Sequence, residues 1–227
     1  MQSAHQAPLN FKTREEAAYE SLRQAIIQGR WGPDQSLAVS RIASDLGVSR
    51  ITVANALKRL AGEGFVFLVP HKEPVVARLD PDGVREIYLM RADLEALAAR
   101  EAAARITADE LEEAQHLNEV IRALRTDPSG TIASIRTADR TFHRHIRLAA
   151  RMTRLARLLE NLADQCEYYR SRLLDPSQRA VPDPTAHQVL LDDLAARDGG
   201  GAARFMRNHI LGGMRSVLAV LEPRRTG

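Results

Sequence analysis

The chain has 227 residues and a mass of 25.2 kDa, with 44% hydrophobic and 27% charged side chains; it is long enough for a buried core divided over two small domains, and disorder and collagen-like structure are excluded. One cysteine, Cys166, rules out an internal disulfide. No stretch approaches the ~20 apolar residues of a membrane span and the first residues lack a secretory apolar run, so the expected setting is the cytoplasm.

Alanine (34) and arginine (29, against 3 lysines) dominate, and aromatics are 4%, a composition rich in helix formers and poor in strand formers. The net charge of +3 is too small to establish a nucleic-acid partner, and it is spread evenly: residues 1–77 hold 9 basic and 7 acidic groups.

Residues 1–10 read as a loose N-terminal arm. A first helix is predicted from about Arg14 to Gln28, with Ala18, Leu22, Ala25 and Ile26 on one face and Gly29 ending it. After the turn Gly32-Pro33-Asp34 come two short helices, about Ser40–Leu46 and Ser49–Ala61, with Gly47 between them and Ser49 as an N-cap. Phe65 to Val69 is the densest β-forming run, Pro70 to Pro74 turns, and Val75 to Ala77 can return as a second strand. The joint at residues 78–82 separates a unit at 11–77 from a helical unit at 83–227.

Beyond the joint the pattern predicts six antiparallel helices. They run from about Pro81 to Ile106, Thr107 to Leu124 (opened by a Thr107/Glu110 capping box), Ile132 to Ala150, Thr153 to Leu174, Thr185 to Arg197 and Ala202 to Leu221. Residues 175–184 read as a loop, and Gly199-Gly200-Gly201 as the break between the last two helices. The fold class is therefore mainly α: an N-terminal winged helix-turn-helix and a C-terminal six-helix antiparallel bundle.

In the first unit, a short helix, a glycine turn, a second helix and a hairpin form the layout that places a recognition helix in the DNA major groove. The second helix holds Arg50, Lys58 and Arg59 with no acid. Val53, Ala56, Leu57 and Leu60 form its inward stripe, which leaves Ser49, Arg50, Thr52 and Asn55 outward near its start. Arg can bind phosphate or guanine, Asn can bind adenine, and Thr can reach either or a thymine methyl. Lys58, and His71 and Lys72 at the hairpin tip, complete the candidate DNA contacts. On periodicity alone, a helical hairpin with a solvated charged face fits equally well.

Three blocks in order, ESLRQAIIQGR (Glu20–Arg30), IASDLGVSR (Ile42–Arg50) and VANALKRLAGEGFV (Val53–Val66), resemble the DNA-binding domain of the GntR family of bacterial transcription regulators. The chain departs from the family pattern at Thr52, where Pro is usual, at Ala54-Asn55, where Arg-Glu is usual, and at the wing tip His71-Lys72-Glu73-Pro74, which lacks the usual glycine. The resemblance implies a homodimer on an inverted-repeat operator in double-stranded DNA.

In the second unit, Asp139 and His143 are spaced i, i+4 on one helix face, with His187 and His209 on two later helices. Three imidazoles and a carboxylate suit zinc, nickel, iron or manganese and leave coordination positions open. On spacing alone, an ordinary helix pair and unconnected histidines are the commoner arrangement. The runs ADRTFHRH (Ala138–His145), AHQVLLDDL (Ala186–Leu194) and AARFMRNHI (Ala202–Ile210) resemble the FCD ligand-sensing domain of the FadR subgroup of GntR regulators. That resemblance implies a divalent metal, zinc first among the candidates, on Asp139, His143, His187 and His209. It also implies a small organic acid effector, with Arg91 as its carboxylate clamp. Arg151-Met152-Thr153 and Ala186 depart from the usual residues at their positions. An Arg91 paired at the surface with Asp93 or Glu95, a metal that only staples the bundle, and a metal-dependent hydrolase are the competing readings. His145 falls off the ligand face and is expected to be exposed, Trp31 to anchor the first helix, and Cys166 to be core.

Overall fold

The computed structural model describes residues 13–78, 80–173 and 184–222; the expected N-terminal arm and the loop at 175–183 lie outside these residues. The chain divides into two compact units, Met1–Arg78 and Leu79–Gly227.

The first unit opens with α1 (Arg14–Ile27), where the Thr13 side chain caps the first turn by accepting from the Glu16 N–H at 3.1 Å. Ala18, Leu22 and Ile26 are buried along one face, and Gly29, at φ 89°, turns the chain away. α2 (Val39–Leu46) ends in the left-handed Gly47, and α3 (Arg50–Gly62) starts on the Ser49 cap and packs Val53, Ala56, Leu57 and Leu60 inward. β1 (Val66–Phe67) pairs antiparallel with β2 (Val75–Val76) in the register Val66 to Val76 and Phe67 to Val75.

The wing strands are shorter than the Phe65–Val69 run suggests. Pro74 has no N–H to continue the ladder. Its carbonyl instead accepts from the Leu37 N–H at 2.7 Å, while Val76 exchanges bonds with Asp34 and Gln35, so residues 34–37 flank β2 on its other side. Leu68 and Val69 are left exposed. Glu73, also on the wing, accepts from the Val39 N–H at 3.1 Å and so caps α2, whose own N-cap, Ala38, has no side-chain acceptor.

The second unit contains α4 (Pro81–Arg105), α5 (Ala108–Thr126), α6 (Ile132–Ala149), α7 (Thr153–Leu173), α8 (Pro184–Ala195) and α9 (Gly199–Leu221). Asp80 caps α4 with Pro81 at its first position, and the Thr107/Glu110 capping box opens α5 as expected. α4 is the central helix and packs on α6, α7, α8 and α9. Its face of Ala92, Ala98, Ala99, Ala102 and Ala103 is almost fully buried, which lets α9 approach closely.

The three glycines at 199–201 do not separate the last two helices; they form the first turn of α9. Asp198 caps that turn by accepting from the Gly201 N–H at 2.9 Å. A side chain would be tight here: a Cβ at Gly199 would lie 3.1 Å from the Arg100 carbonyl, and one at Gly201 would lie 2.5 Å from the Asp193 carboxylate, which would have to shift. Among the described residues, no helix is long and apolar enough to cross a membrane.

Candidate functional site

The bundle core brings together three imidazoles that are far apart in sequence. His143 comes from α6, His187 from the first turn of α8 and His209 from α9, and one ligand atom from each lies within 4.8 Å of the others. The rings form a nearly equilateral triangle, with centroids 5.1, 5.2 and 5.3 Å apart. Asp139, one turn before His143, joins them: its Oδ1 is 3.7 Å from His143 Nε2 and 3.5 Å from His187 Nε2. Two donors ~2.1 Å from one metal at a tetrahedral angle stand roughly 3.4 Å apart, close to the separations of Asp139 from His143 and His187.

The protonation states fit as well. Burial pushes the His143 imidazole well below its usual range, with His209 and His187 adding to the effect. Burial, aided by Arg91 and Arg170, brings His209 down to about 4. Both rings are therefore neutral at pH 7, the form that coordinates metals. Burial raises the Asp139 carboxyl to about 6 against the opposing pull of Arg170, Arg91, Arg136 and Arg147. Its Oδ1 is buried and accepts no hydrogen bond. An ionised carboxylate buried without a hydrogen-bond partner at this oxygen carries a desolvation cost that a cation would offset.

Side chains that the spacing of the histidines did not reveal hold these imidazoles in place. Asn118 on α5, almost fully buried, accepts from His187 Nδ1 at 3.3 Å, which directs Nε2 toward the cluster. Phe142 stacks on His187 at 4.5 Å and Phe205 on His209 at 5.7 Å. The signal for Asn118 was a polar residue on the apolar stripe Ala114, Asn118, Ile121.

Arg91 is not a surface residue. It is 9% exposed on α4 and donates from Nε to Glu95 Oε1 at 3.2 Å, whereas Asp93 pairs with Arg207. Glu95 is also gripped by Arg147 of α6, at 3.1 Å from Nε to both oxygens and at 2.6 Å from Nη2. This buried Arg-Glu-Arg triad leaves one net positive charge in the core. Burial opposes ionisation of Glu95, but Arg147 and Arg91 outweigh it and hold the carboxyl below its usual range. Cys166 is core, beside Arg91 and Tyr88. His145 is half-buried rather than exposed, because its ring Nε2 donates to the Glu110 carbonyl at 2.7 Å and so reaches α5.

In the first unit the candidate DNA contacts divide into exposed and engaged residues. Ser49, Arg50 and Lys58 on α3 and His71 and Lys72 on the wing are exposed. Ser49 is also the α3 cap, accepting from the Thr52 N–H at 3.1 Å, and its hydroxyl lies 2.9 Å from that of Thr52. Asn55 is half-buried and donates to Glu15 of α1 at 3.4 Å. Arg59 faces α1: it lies 3.5 Å above the Tyr19 ring and pairs with Glu16 at 2.7 Å, so the local +3 of this helix is reduced at its outer face. Ile51, in the first turn of α3, is 73% exposed, a large apolar side chain left open beside Arg50.

A winged helix-turn-helix followed by a helical bundle with a histidine cluster in its core defines a DNA-binding regulator with a sensor domain. The profile of the gntR family of bacterial regulatory proteins matches residues 14–73 and that of the FCD domain matches residues 86–212; the chain belongs to the GntR family of transcription regulators and carries an FCD domain. It is 32% identical over 126 residues to an HTH-type transcriptional regulator from the TAR-I ttuE-ttuC' intergenic region of Agrobacterium vitis, a match covering 56% of this chain and 70% of that one. With the HTH-type transcriptional repressor GlaR of Escherichia coli K12 it shares 27% identity over 201 residues, 85% of this chain and 90% of GlaR. The crystal structure of a putative GntR transcriptional regulator from Rhodococcus sp. RHA1 has the same fold, with a TM-score of 0.72 and 22% identity over 92% of this chain and 99% of that one. These families and relatives are transcription regulators and not enzymes, which removes the hydrolase reading.

Proposed function

We propose that this regulator binds an inverted-repeat operator as a homodimer and senses a small carboxylate at a divalent metal held by Asp139, His143, His187 and His209. The observation that carries the reading is the convergence of three imidazole donors from three helices within 4.8 Å. A bound divalent ion, zinc first by the donor set, supplies positive charge and open coordination positions for an anionic ligand. Asn118 orients His187, the neutral His143 and His209 need shed no proton to bind, and Asp139 loses the cost of an uncompensated buried charge. Arg91 is the clamp for the effector's carboxylate, because the triad with Glu95 and Arg147 leaves a net positive charge to neutralise.

On the DNA, Arg50 and Ile51 address base edges from the N-terminus of α3, while Lys58, His71 and Lys72 supply phosphate contacts from α3 and the wing. One such helix reads too few bases for useful specificity, and two related by a dyad match a palindrome.

The pairing of Arg91 with Glu95 favours a second reading, in which the ion only staples α6, α8 and α9 and no acid binds. Metal analysis of the full-length protein, followed by operator binding with candidate di- and tricarboxylates, separates the two. We expect roughly one ion per chain, its loss in a His187→Ala, His209→Ala double variant, and a change in operator affinity with at least one acid. A metal-loaded protein whose DNA affinity no acid alters supports the staple. Failure of the wild type to retain zinc, nickel, iron or manganese overturns the metal site.

A further inference from the structure

A groove lies between α6 and α7, lined by residues other than the histidine cluster. Its volume is 340 Å³, at the lower end of the ~300–1,000 Å³ typical of small-molecule sites. Four arginines line it, Arg144, Arg147, Arg151 and Arg157, against a single acid, Glu160. The lining thus carries as much net positive charge as the whole chain.

The guanidinium groups differ in what already holds them. Arg151 pairs with Glu110 at 2.7 Å. Arg144 and Arg157 make no hydrogen bond or ion pair among the described residues. Arg147, 3% exposed, is bound tightly to Glu95 on its inner side, but toward the groove its Nη1 has only a 3.4 Å contact with Glu160 Oε2. Glu160 is itself engaged by Arg140. An incoming anion can therefore take the outer edge of Arg147 without stripping Glu160 of its partner. The apolar part of the wall, Leu148, Met152 and Ala156, offers a surface for the body of a ligand.

We propose that the α6–α7 groove is a second ligand site, taking a small organic anion with a phosphate or carboxylate head and a compact apolar body. The head lies between Arg144, Arg147 and Arg157, where bidentate guanidinium contacts favour planar or tetrahedral oxyanions. The body covers Leu148 and Met152. The inner edge of Arg147 is part of the triad with Glu95 and Arg91, so occupancy of the groove is felt by side chains beside the histidine cluster. The site does not depend on a metal at that cluster, and its test keeps the two apart.

Calorimetric titration of the full-length protein with phenyl phosphate, benzoate and inorganic phosphate provides the test. Phenyl phosphate or benzoate is expected to bind saturably, and phenyl phosphate about tenfold more tightly than inorganic phosphate, a difference of ~1.4 kcal/mol. An Arg144→Gln, Arg157→Gln double variant should weaken that binding about tenfold, and each single change by a smaller factor. Both side chains are exposed, so an unchanged thermal melt is expected to show that the variants fold, and the single variants remain informative if the double does not. Treatment with chelator should leave the affinity unchanged. Absence of saturable binding in the wild type overturns the site. Binding lost on chelation but retained in the double variant assigns the anion to the histidine cluster and also overturns it. Equal affinity for inorganic and phenyl phosphate overturns the role of the apolar wall.

Discussion

Asp139 carries opposite consequences with and without a metal. Its carboxyl has a pKa of about 6 in the fold against 3.8 as a free side chain. A raised folded pKa contributes stability that is present below the unfolded value and lost as pH rises through about 6, leaving a cost of roughly 3 kcal/mol at pH 7 in metal-free protein. His209 has the opposite sense, because its pKa falls from 6.5 to about 4. Its contribution is present above pH 6.5 and is lost as pH falls toward 4. Asp139→Asn should therefore raise the melting temperature of the chelated protein at pH 7 by several degrees, at ~2–4 °C per kcal/mol for a domain of this size. It should also shrink the rise produced by added zinc. A variant that melts lower than wild type without metal contradicts the buried-charge account. In the wild type, zinc affinity measured by competition should fall as pH drops below about 6, where Asp139 takes up its proton first. The four candidate ligands were named by the family resemblance, since their spacing alone was a weak signal. Of their supports, Asn118 showed only as a polar residue in an apolar stripe, and the roles of Phe142 and Phe205 not at all, because nothing in local spacing says which α5 residue faces which α8 residue once the helices pack.

At the scale of single helices, capping residues and glycines decided where the sequence reading succeeded. α5 begins at its Thr107/Glu110 box and α4 at Asp80-Pro81, because those signals act within one turn and need no tertiary partner. The start of α9 was misplaced because Gly199-Gly200-Gly201 reads as a breaker locally, whereas in the fold the Asp198 cap starts the helix there and Gly199 packs closely against Arg100. The wing was over-extended for a similar reason: β-propensity cannot show that Pro74 and residues 34–37 end the ladder. For α3 the same logic gives a prediction. Ser49→Ala removes the N-cap and should cost about 1 kcal/mol of stability, read by thermal or urea unfolding. Lys58→Ala, by contrast, should leave stability within ~0.5 kcal/mol, since the side chain is exposed. If Lys58 contacts phosphate, its loss should reduce the slope of log affinity against log salt by about one per half-site, with little change in sequence preference. An unchanged slope in fluorescence anisotropy places Lys58 outside the DNA contact.

For the whole chain, the proposed reading assigns operator binding to the first unit and effector binding to the second, so any coupling between them is a free energy shared by both. If an acid at the histidine cluster changes operator affinity by some factor, operator DNA must change the affinity for that acid by the same factor, in the range of ~5–150 for typical regulators. The acid can shift the equilibrium only by its difference in affinity between the DNA-competent and DNA-incompetent states. Arg91 is the side chain through which such a difference is expected, because Glu95 and an incoming carboxylate compete for the same guanidinium. Calorimetric titration of the acid into free protein and into the protein–operator complex should return dissociation constants whose ratio equals the shift in operator affinity measured at saturating acid. In Arg91→Lys, which keeps the charge but loses the planar fork, that ratio should move toward one while the metal content and the operator affinity without acid stay at wild-type values. A ratio unaffected by Arg91→Lys removes the clamp from the coupling, and a loss of metal in that variant would mean that Arg91 supports the histidine cluster itself.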